Sequence, residues 1–257
     1  MDEYASIVTG GAGFIGSHLT ERLLREGYKV TILDNFSAGK LENIQSILDN
    51  PTLTIVEEDL KKPVKLNKII KKCEIIFHLA ANPEVRMGEA NPKVHLEENI
   101  LTTFNLLEAM RQAKTPKTLV FTLTSTVYGE ASQVPTPEYY APLIPISTYG
   151  ASKLACEALI TSYAYTFNQR ALILRLANII GPKSNHGVIV DFIRKIRVNP
   201  RELEILGDGT QEKSYLHIID CIEAIDCIEA IMHLNNNFLK NTKKLTFTML
   251  VPLIKLL

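Results

Sequence analysis

The sequence predicts an α/β protein built on a doubly wound parallel sheet, and three observations lead there. Short β-branched runs alternate with amphipathic stretches along most of the 257 residues, a glycine-rich turn joins the first strand to the first helix, and the second strand runs into an acid, Asp34. A chain of this length buries a core as one domain, or as one large domain carrying a small lobe.

The elements follow in order. Ala5–Thr9 is an apolar strand, Phe14–Arg25 has helical spacing, and Lys29–Leu33 is the second strand. Further strands are expected at Leu53–Val56, Ile75–Leu79, Thr118–Leu123 and Ala171–Leu176, with helices near Pro92–Arg111 and Ser152–Phe167 between them. This is the βαβ alternation of a parallel sheet. Beyond Gly181 a polar loop, a helix-like Val188–Arg197, a short strand Leu203–Leu206 and the turn GDGT at 207–210 read as a smaller lobe. The hexamer Asp-Cys-Ile-Glu-Ala-Ile occurs at 220 and again at 226, too short a period for a solenoid, and is read as one helix, Asp220–Leu234. Residues 235–257 show neither a clean period nor a cap and fit no element. The expected division is a cofactor domain over 1–180, a partial substrate lobe over 181–234 interleaved with it, and an atypical tail.

Composition excludes several functions. With 28 basic and 28 acidic residues the net charge is zero, which provides no field for nucleic acid or an anionic membrane, so any phosphate must be gripped locally. Cys73, Cys156, Cys221 and Cys227 have no CxxC spacing and read as buried hydrophobes of a reduced cytoplasmic protein, with no metal site expected. The first residues lack a signal-peptide pattern, and no apolar run approaches the ~20 residues of a membrane span.

The chemistry is concentrated in two motifs. Gly10-Gly11-Ala12-Gly13-Phe14-Ile15-Gly16 follows a strand and opens a helix, the arrangement that seats a pyrophosphate on the helix N-terminus of a Rossmann fold. Asp34 would accept hydrogen bonds from an adenosine ribose and repel a 2′-phosphate, favouring NAD over NADP. Tyr149 and Lys153 lie four apart on one helix face, and the ammonium is expected to lower the phenol's pKa towards that of a usable base.

With TGGAGFIGSHL at 9–19, Asp34-Asn35, HLAA at 78–81, TSTVYG at 124–129 and the Tyr149/Lys153 pair, residues 4–234 resemble the extended short-chain dehydrogenase/reductase family. Within it the likeness is to the NAD-dependent nucleotide-sugar epimerases and dehydratases. The resemblance implies that Gly10, Gly13 and Gly16, with Phe14 and Ile15, cradle the pyrophosphate. It implies that Asp34, Asn35, Ser37 and Gly39 close around the ribose, that Asp59 and Leu60 frame adenine, and that Leu79, Ala80, Ala81 and Asn99 lie on the cofactor side. Tyr149 is then the catalytic base, Lys153 its partner and a ribose ligand, and Thr124 the hydroxyl that relays the substrate's proton.

The resemblance further implies a UDP-sugar substrate, held by Asn178, Val188, Leu203 and Lys213, with Arg86 a second cation. Where related dehydratases and decarboxylases carry an acid in the stretch after the threonine, this chain has Ser125 and Thr126, which favours epimerisation at C4 of a UDP-hexose. A nucleotide-sugar dehydratase or reductase, and a non-catalytic NAD-binding protein, are the alternatives. Loss of resemblance after Leu234 suggests a shortened C-terminus, and helices 92–111 and 149–167 suit a homodimer by analogy with the family.

Overall fold

In the computed structural model, which describes residues 5–115, 117–205, 213–234 and 244–249, seven parallel strands form one sheet in the order β3-β2-β1-β4-β5-β6-β9. They are β1 (Ala5–Thr9), β2 (Lys29–Asp34), β3 (Leu53–Glu57), β4 (Ile75–His78), β5 (Thr118–Thr124), β6 (Arg170–Leu176) and β9 (Lys244–Met249). The strands β7 (Asn178–Ile180) and β8 (Tyr215–His217) pair separately, also in parallel. The order reverses between β1 and β4, the place at which open α/β sheets bind ligands.

Both faces of the sheet are covered, as a parallel sheet requires. On one face α2 (Leu66–Ile70), α5 (Thr102–Gln112) and α6 (Thr148–Phe167) pack Leu106, Met110, Cys156 and Ile160 into a core with Ile76, Leu119 and Phe121. On the other, α1 (Phe14–Arg25) and α8 (Ile218–Leu234) pack Leu19, Leu23, Ile218 and Cys221 with Val8, Phe77 and Leu172. Each aliphatic or aromatic side chain among them contributes about 1.5–3 kcal/mol by leaving water. The short helices α3 (Met87–Ala90) and α4 (Lys93–His95) follow β4, and α7 (Val188–Val198) stands in the smaller lobe.

Local chemistry sets the helix ends. Ser147 caps α6 by accepting a hydrogen bond from the Gly150 N–H at 3.1 Å, and Asn168, left-handed at φ 54°, ends it. In α1 the last turn carries Arg22 and Arg25, which complement its carbonyl end.

Most expected elements fall within a residue or two of their predicted bounds; α6 starts at Thr148 rather than Ser152, and three other elements differ in kind. The helix expected over Pro92–Arg111 is interrupted by a π-helical turn, Leu96–Leu101, between α4 and α5; such widenings recur beside functional sites, and this one contains Asn99. The strand expected at Leu203–Leu206 is irregular over 203–205, where the Lys195 Nζ donates to the Glu204 carbonyl at 3.0 Å and ties the segment to α7; residue 206 and the turn 207–210 lie outside the described residues. The tail contains β9, in parallel register with β6 from Ala171↔Lys244 to Leu176↔Met249. Its signal was a period of two, Leu245, Phe247 and Met249, confined to six residues. The rest of the tail, 235–243 and 250–257, lies outside the described residues.

The repeated hexamer forms the single helix α8. Cys73, Cys156 and Cys221 are buried free thiols, and the Cys227 side chain lies outside the described residues. Among the described residues no helix is long and apolar enough to cross a membrane.

Candidate active site

A cleft of about 1010 Å³ opens at the reversal point, at the upper end of the ~300–1,000 Å³ typical of a small-molecule site. Its floor is the turn after β1. Gly10 has φ +69°, and a Cβ there would stand 2.8 Å from the Ala80 nitrogen; a Cβ on Gly16 would stand 2.1 Å from the Gly10 carbonyl oxygen. Both positions therefore require glycine. Gly13 opens α1 with no side-chain cap and no acid in the first turn, so the orphan N–H groups of the helix meet a cleft lined by Gly13, Phe14, Ile15 and Gly16. That positive end suits a phosphate.

The surrounding loops are held by buried side chains. His78 lies between the Thr9 hydroxyl, at 2.8 Å from Nδ1, and the Thr103 hydroxyl, at 3.0 Å from Nε2. The Ala80 N–H donates to the same Thr9 oxygen at 3.2 Å, so the Leu79-Ala80-Ala81 loop is tied to the end of β1. Complete burial, with Lys153 adding repulsion, pushes His78 down to about 3 and keeps it neutral. Asp34 accepts from the Ala12 N–H and the Phe36 N–H, each at 2.9 Å. Burial raises its pKa against the opposing pull of those backbone bonds. The carboxylate keeps acceptor capacity beyond these backbone bonds for a ligand's hydroxyl.

The reactive row lies where β5 ends and α6 begins. The Thr124 hydroxyl neighbours the Tyr149 phenol and draws its pKa down by favouring the phenolate. It also accepts from the Thr126 N–H and the Thr126 hydroxyl, both at 3.2 Å. With its lone pairs engaged by two donors, Thr124 directs its own proton at the phenol oxygen. Lys153, 4% exposed, donates from Nζ to the Thr122 carbonyl at 2.7 Å and lies 4.1 Å from the Phe121 ring centroid.

The expectation that Lys153 lowers the Tyr149 pKa is not met in the protein alone. Burial drives both groups towards neutrality, pushing Tyr149 up to about 12 and Lys153 down to about 8, and Thr124 is the neighbour that favours the phenolate. The His95 ring, 1% exposed, lies 5.6 Å from the Tyr149 ring, with its pKa lowered by burial.

Of the residues singled out in the sequence, Gly10, Gly13, Phe14, Ile15, Gly16, Asp34, Asn35, Ser37, Leu60, Leu79, Ala80, Ala81, Arg86, Thr124, Tyr149, Lys153, Asn178 and Val188 line this cleft. Five do not. A Cβ on Gly39 would stand 2.7 Å from the Asp34 carboxylate, so the Gly39 backbone packs against the acid where a side chain would not fit. Asp59 turns away to accept from the Lys61 N–H at 2.8 Å, and its neighbour Glu58 lines the cleft instead.

Asn99, 1% exposed, is a strut: Oδ1 accepts from the Asn82 N–H at 2.8 Å and Nδ2 donates to the Ser152 hydroxyl at 2.9 Å. Leu203 and Lys213 lie outside the lining, Lys213 exposed. The sequence reading passed over Arg194 and Arg197, which line the cleft from α7; their spacing of three on an amphipathic helix was the available signal.

A parallel sheet with a glycine turn at its reversal point and a hydroxyl, a phenol and an ammonium in a row beside it defines a dinucleotide-dependent enzyme of the Rossmann type. Residues 6–235 match the NAD dependent epimerase/dehydratase family, and the chain belongs to it. A putative UDP-glucose 4-epimerase of Methanocaldococcus jannaschii is 37% identical over 223 residues, covering 85% of this chain and 71% of that protein. A crystal structure of UDP-galactose 4-epimerase superposes with a TM-score of 0.81 at 42% identity, covering 95% of this chain and 76% of that one. UDP-glucuronic acid 4-epimerase from Bacillus cereus, solved with UDP-glucuronic acid and NAD, gives a TM-score of 0.82 at 30% identity, over 96% of this chain and 77% of that one.

NAD is the cofactor of the family, and the residues present fit it. The uncapped α1 suits the pyrophosphate, and the Asp34 carboxylate, held by backbone N–H groups on the cleft wall, suits ribose hydroxyls. The chain is thus an NAD-dependent enzyme of nucleotide-sugar chemistry.

Proposed function

We propose that the protein interconverts UDP-glucose and UDP-galactose by epimerisation at C4 through a transient 4-keto sugar. The observation that carries this reading is the Thr124 hydroxyl beside the Tyr149 phenol, backed by the Thr126 hydroxyl, where an added acid–base step would need a carboxylate. Bound NAD would supply the hydride acceptor and donor at C4 that a net redox-neutral inversion needs.

The chain's residues do the rest. Tyr149 takes the C4 hydroxyl proton and later gives it back, with Thr124 donating to the phenol oxygen and stabilising its anion. Thr126 keeps the Thr124 proton aimed at that oxygen. Lys153, fixed by the Thr122 carbonyl, holds the ribose and adds positive charge. Arg86, Asn178, Val188, Arg194 and Arg197 surround the space for the UDP group, which binds firmly enough for the sugar to present either face. The cofactor domain 1–180 and the substrate lobe from 181 supply the two walls, and the homodimer through α5 and α6 belongs to the same reading.

The test is conversion of UDP-galactose to UDP-glucose by the purified chain with NAD, beside Tyr149→Phe. Conversion lost in the variant supports the reading. Absence of conversion by folded, NAD-bound protein overturns it.

A further inference from the structure

A buried ion pair lies one helical turn beyond Lys153. Glu157 on α6 and Arg175 near the end of β6 are 6% and 5% exposed, and neither lines the cleft. The Arg175 Nη2 donates to Glu157 Oε1 at 2.9 Å and Oε2 at 3.1 Å, and Nε donates to Oε2 at 3.3 Å. The remaining arm, Nη1, donates to the Tyr128 hydroxyl at 3.2 Å and the Glu138 carbonyl at 2.9 Å, and the guanidinium lies 5.1 Å from the Tyr128 ring centroid.

One guanidinium thus joins four segments: β6, α6, the 3-10 turn Ser125–Tyr128 and the loop at 138. Two of them carry the reactive row. Positions 149, 153 and 157 recur every four residues on one face of α6, so a rotation of the helix at Glu157 is passed to Lys153 and Tyr149. The 3-10 turn starts one residue after Thr124 and ends at Tyr128. Elsewhere α6 meets the core through the apolar side chains of Cys156, Ile160 and Ala164, and is tied by the Ser152–Asn99 and Lys153–Thr122 hydrogen bonds, single contacts that leave more angular freedom than a fork. A bidentate guanidinium–carboxylate fork fixes both angle and distance. Apolar residues of similar size are often as stable in place of such a pair, so fold stability alone gives no reason for it.

We propose that Arg175, Glu157 and Tyr128 form a positioning network, which locks the rotation of α6 against the end of β5 so that the Tyr149 phenol meets the Thr124 hydroxyl. The three act through Tyr149 and Thr124 and touch no substrate. This inference takes its main readout from the epimerase reading above.

The experiment compares the full-length wild type with the paired apolar exchange Arg175→Met plus Glu157→Leu, measuring thermal stability, NAD binding, kcat and KM for UDP-galactose. The expected result is a folded protein with wild-type NAD binding and KM, in which kcat falls about 10- to 100-fold, the cost of misplacing a catalytic group by about an ångström. Wild-type kcat in that folded variant overturns the proposal. Should the paired variant not fold, Glu157→Gln and Arg175→Lys are measured singly; a fall in kcat at constant KM supports the network, and wild-type kcat in both overturns it.

Should the wild type not convert the sugar, the epimerase reading fails by itself. The network is then tested by the Tyr149 phenolate absorbance, taken as the difference from Tyr149→Phe in NAD-loaded protein. Removing the Arg175 fork should move that titration to higher pH by loosening the Thr124 contact. An unmoved titration overturns the proposal.

Discussion

On the cofactor wall of the cleft, buried side chains tie the loops down: His78 joins Thr9 to Thr103, Asp34 takes two backbone N–H groups, and Asn99 spans from Asn82 to Ser152. Across the cleft, α7 buries none of its residues, and Val188, Ile193, Ile196 and Val198 are all exposed. Its cations Arg194 and Arg197 face the cleft on the same helix. The contrast separates two demands. Under the proposed epimerisation, a dinucleotide that stays bound needs rigid, pre-set donors, whereas a sugar that must present both faces is better served by a grip on its phosphates and a yielding wall.

The largest expected effect lies on the rigid wall. Tyr149→Phe should lower kcat by about 10³-fold with NAD binding retained, since it removes the group that moves the proton; steady-state assays with UDP-galactose read it, and a smaller loss would shift the chemistry to Thr124. Next, Leu19→Ala in the α1 core should cost about 2–5 kcal/mol of folding stability by urea titration, because Leu19 is 1% exposed and its loss leaves a cavity. On the opposite wall, Arg194→Ala should raise the KM for UDP-galactose about tenfold and leave NAD affinity and stability near wild type. Equal losses of NAD and sugar binding would break the comparison.

A pH series sharpens it further. Burial holds Lys153 at about 8, so its charge is present below that pH and lost above it, and NAD affinity should fall as pH rises through about 8. Lys153→Met should bind NAD more weakly and without that dependence. The folded pKa is depressed below the unfolded value, so protonation penalises the native state most below about 8 and not at all above the unfolded value. The same variant should therefore gain thermal stability relative to wild type at pH 7 compared with pH 11. The smallest effect is expected at Ile196→Ala on exposed α7, within about 0.5 kcal/mol of wild type.

The legible parts of the sequence were those in which a local pattern is also the physical cause. The unbroken apolar run Ile75-Ile76-Phe77, the apolar stripe of Phe14–Arg25 and the glycines at 10, 13 and 16 each state a backbone requirement that no distant residue alters. The Leu203 segment read as a strand because four residues carry too little pattern to choose between strand and loop. Asp59 was taken for a cleft residue, although its own turn uses its carboxylate, a contest between neighbours that composition does not reveal. Arg175 escaped notice because its partners stand 18, 47 and 37 residues away.

The sequence by itself determined the parallel α/β architecture, the glycine turn and the pairing of Tyr149 with Lys153, since all three depend on short-range periodicity and on where a side chain is tolerated. Only the tertiary structure decided that the Thr126 hydroxyl backs Thr124, that burial raises the phenol's pKa, and that β9 joins the sheet beside β6. The last two depend on groups far apart in the chain being desolvated together. The energy of a polar group is set by what surrounds it after folding, and no window of neighbouring residues contains that information.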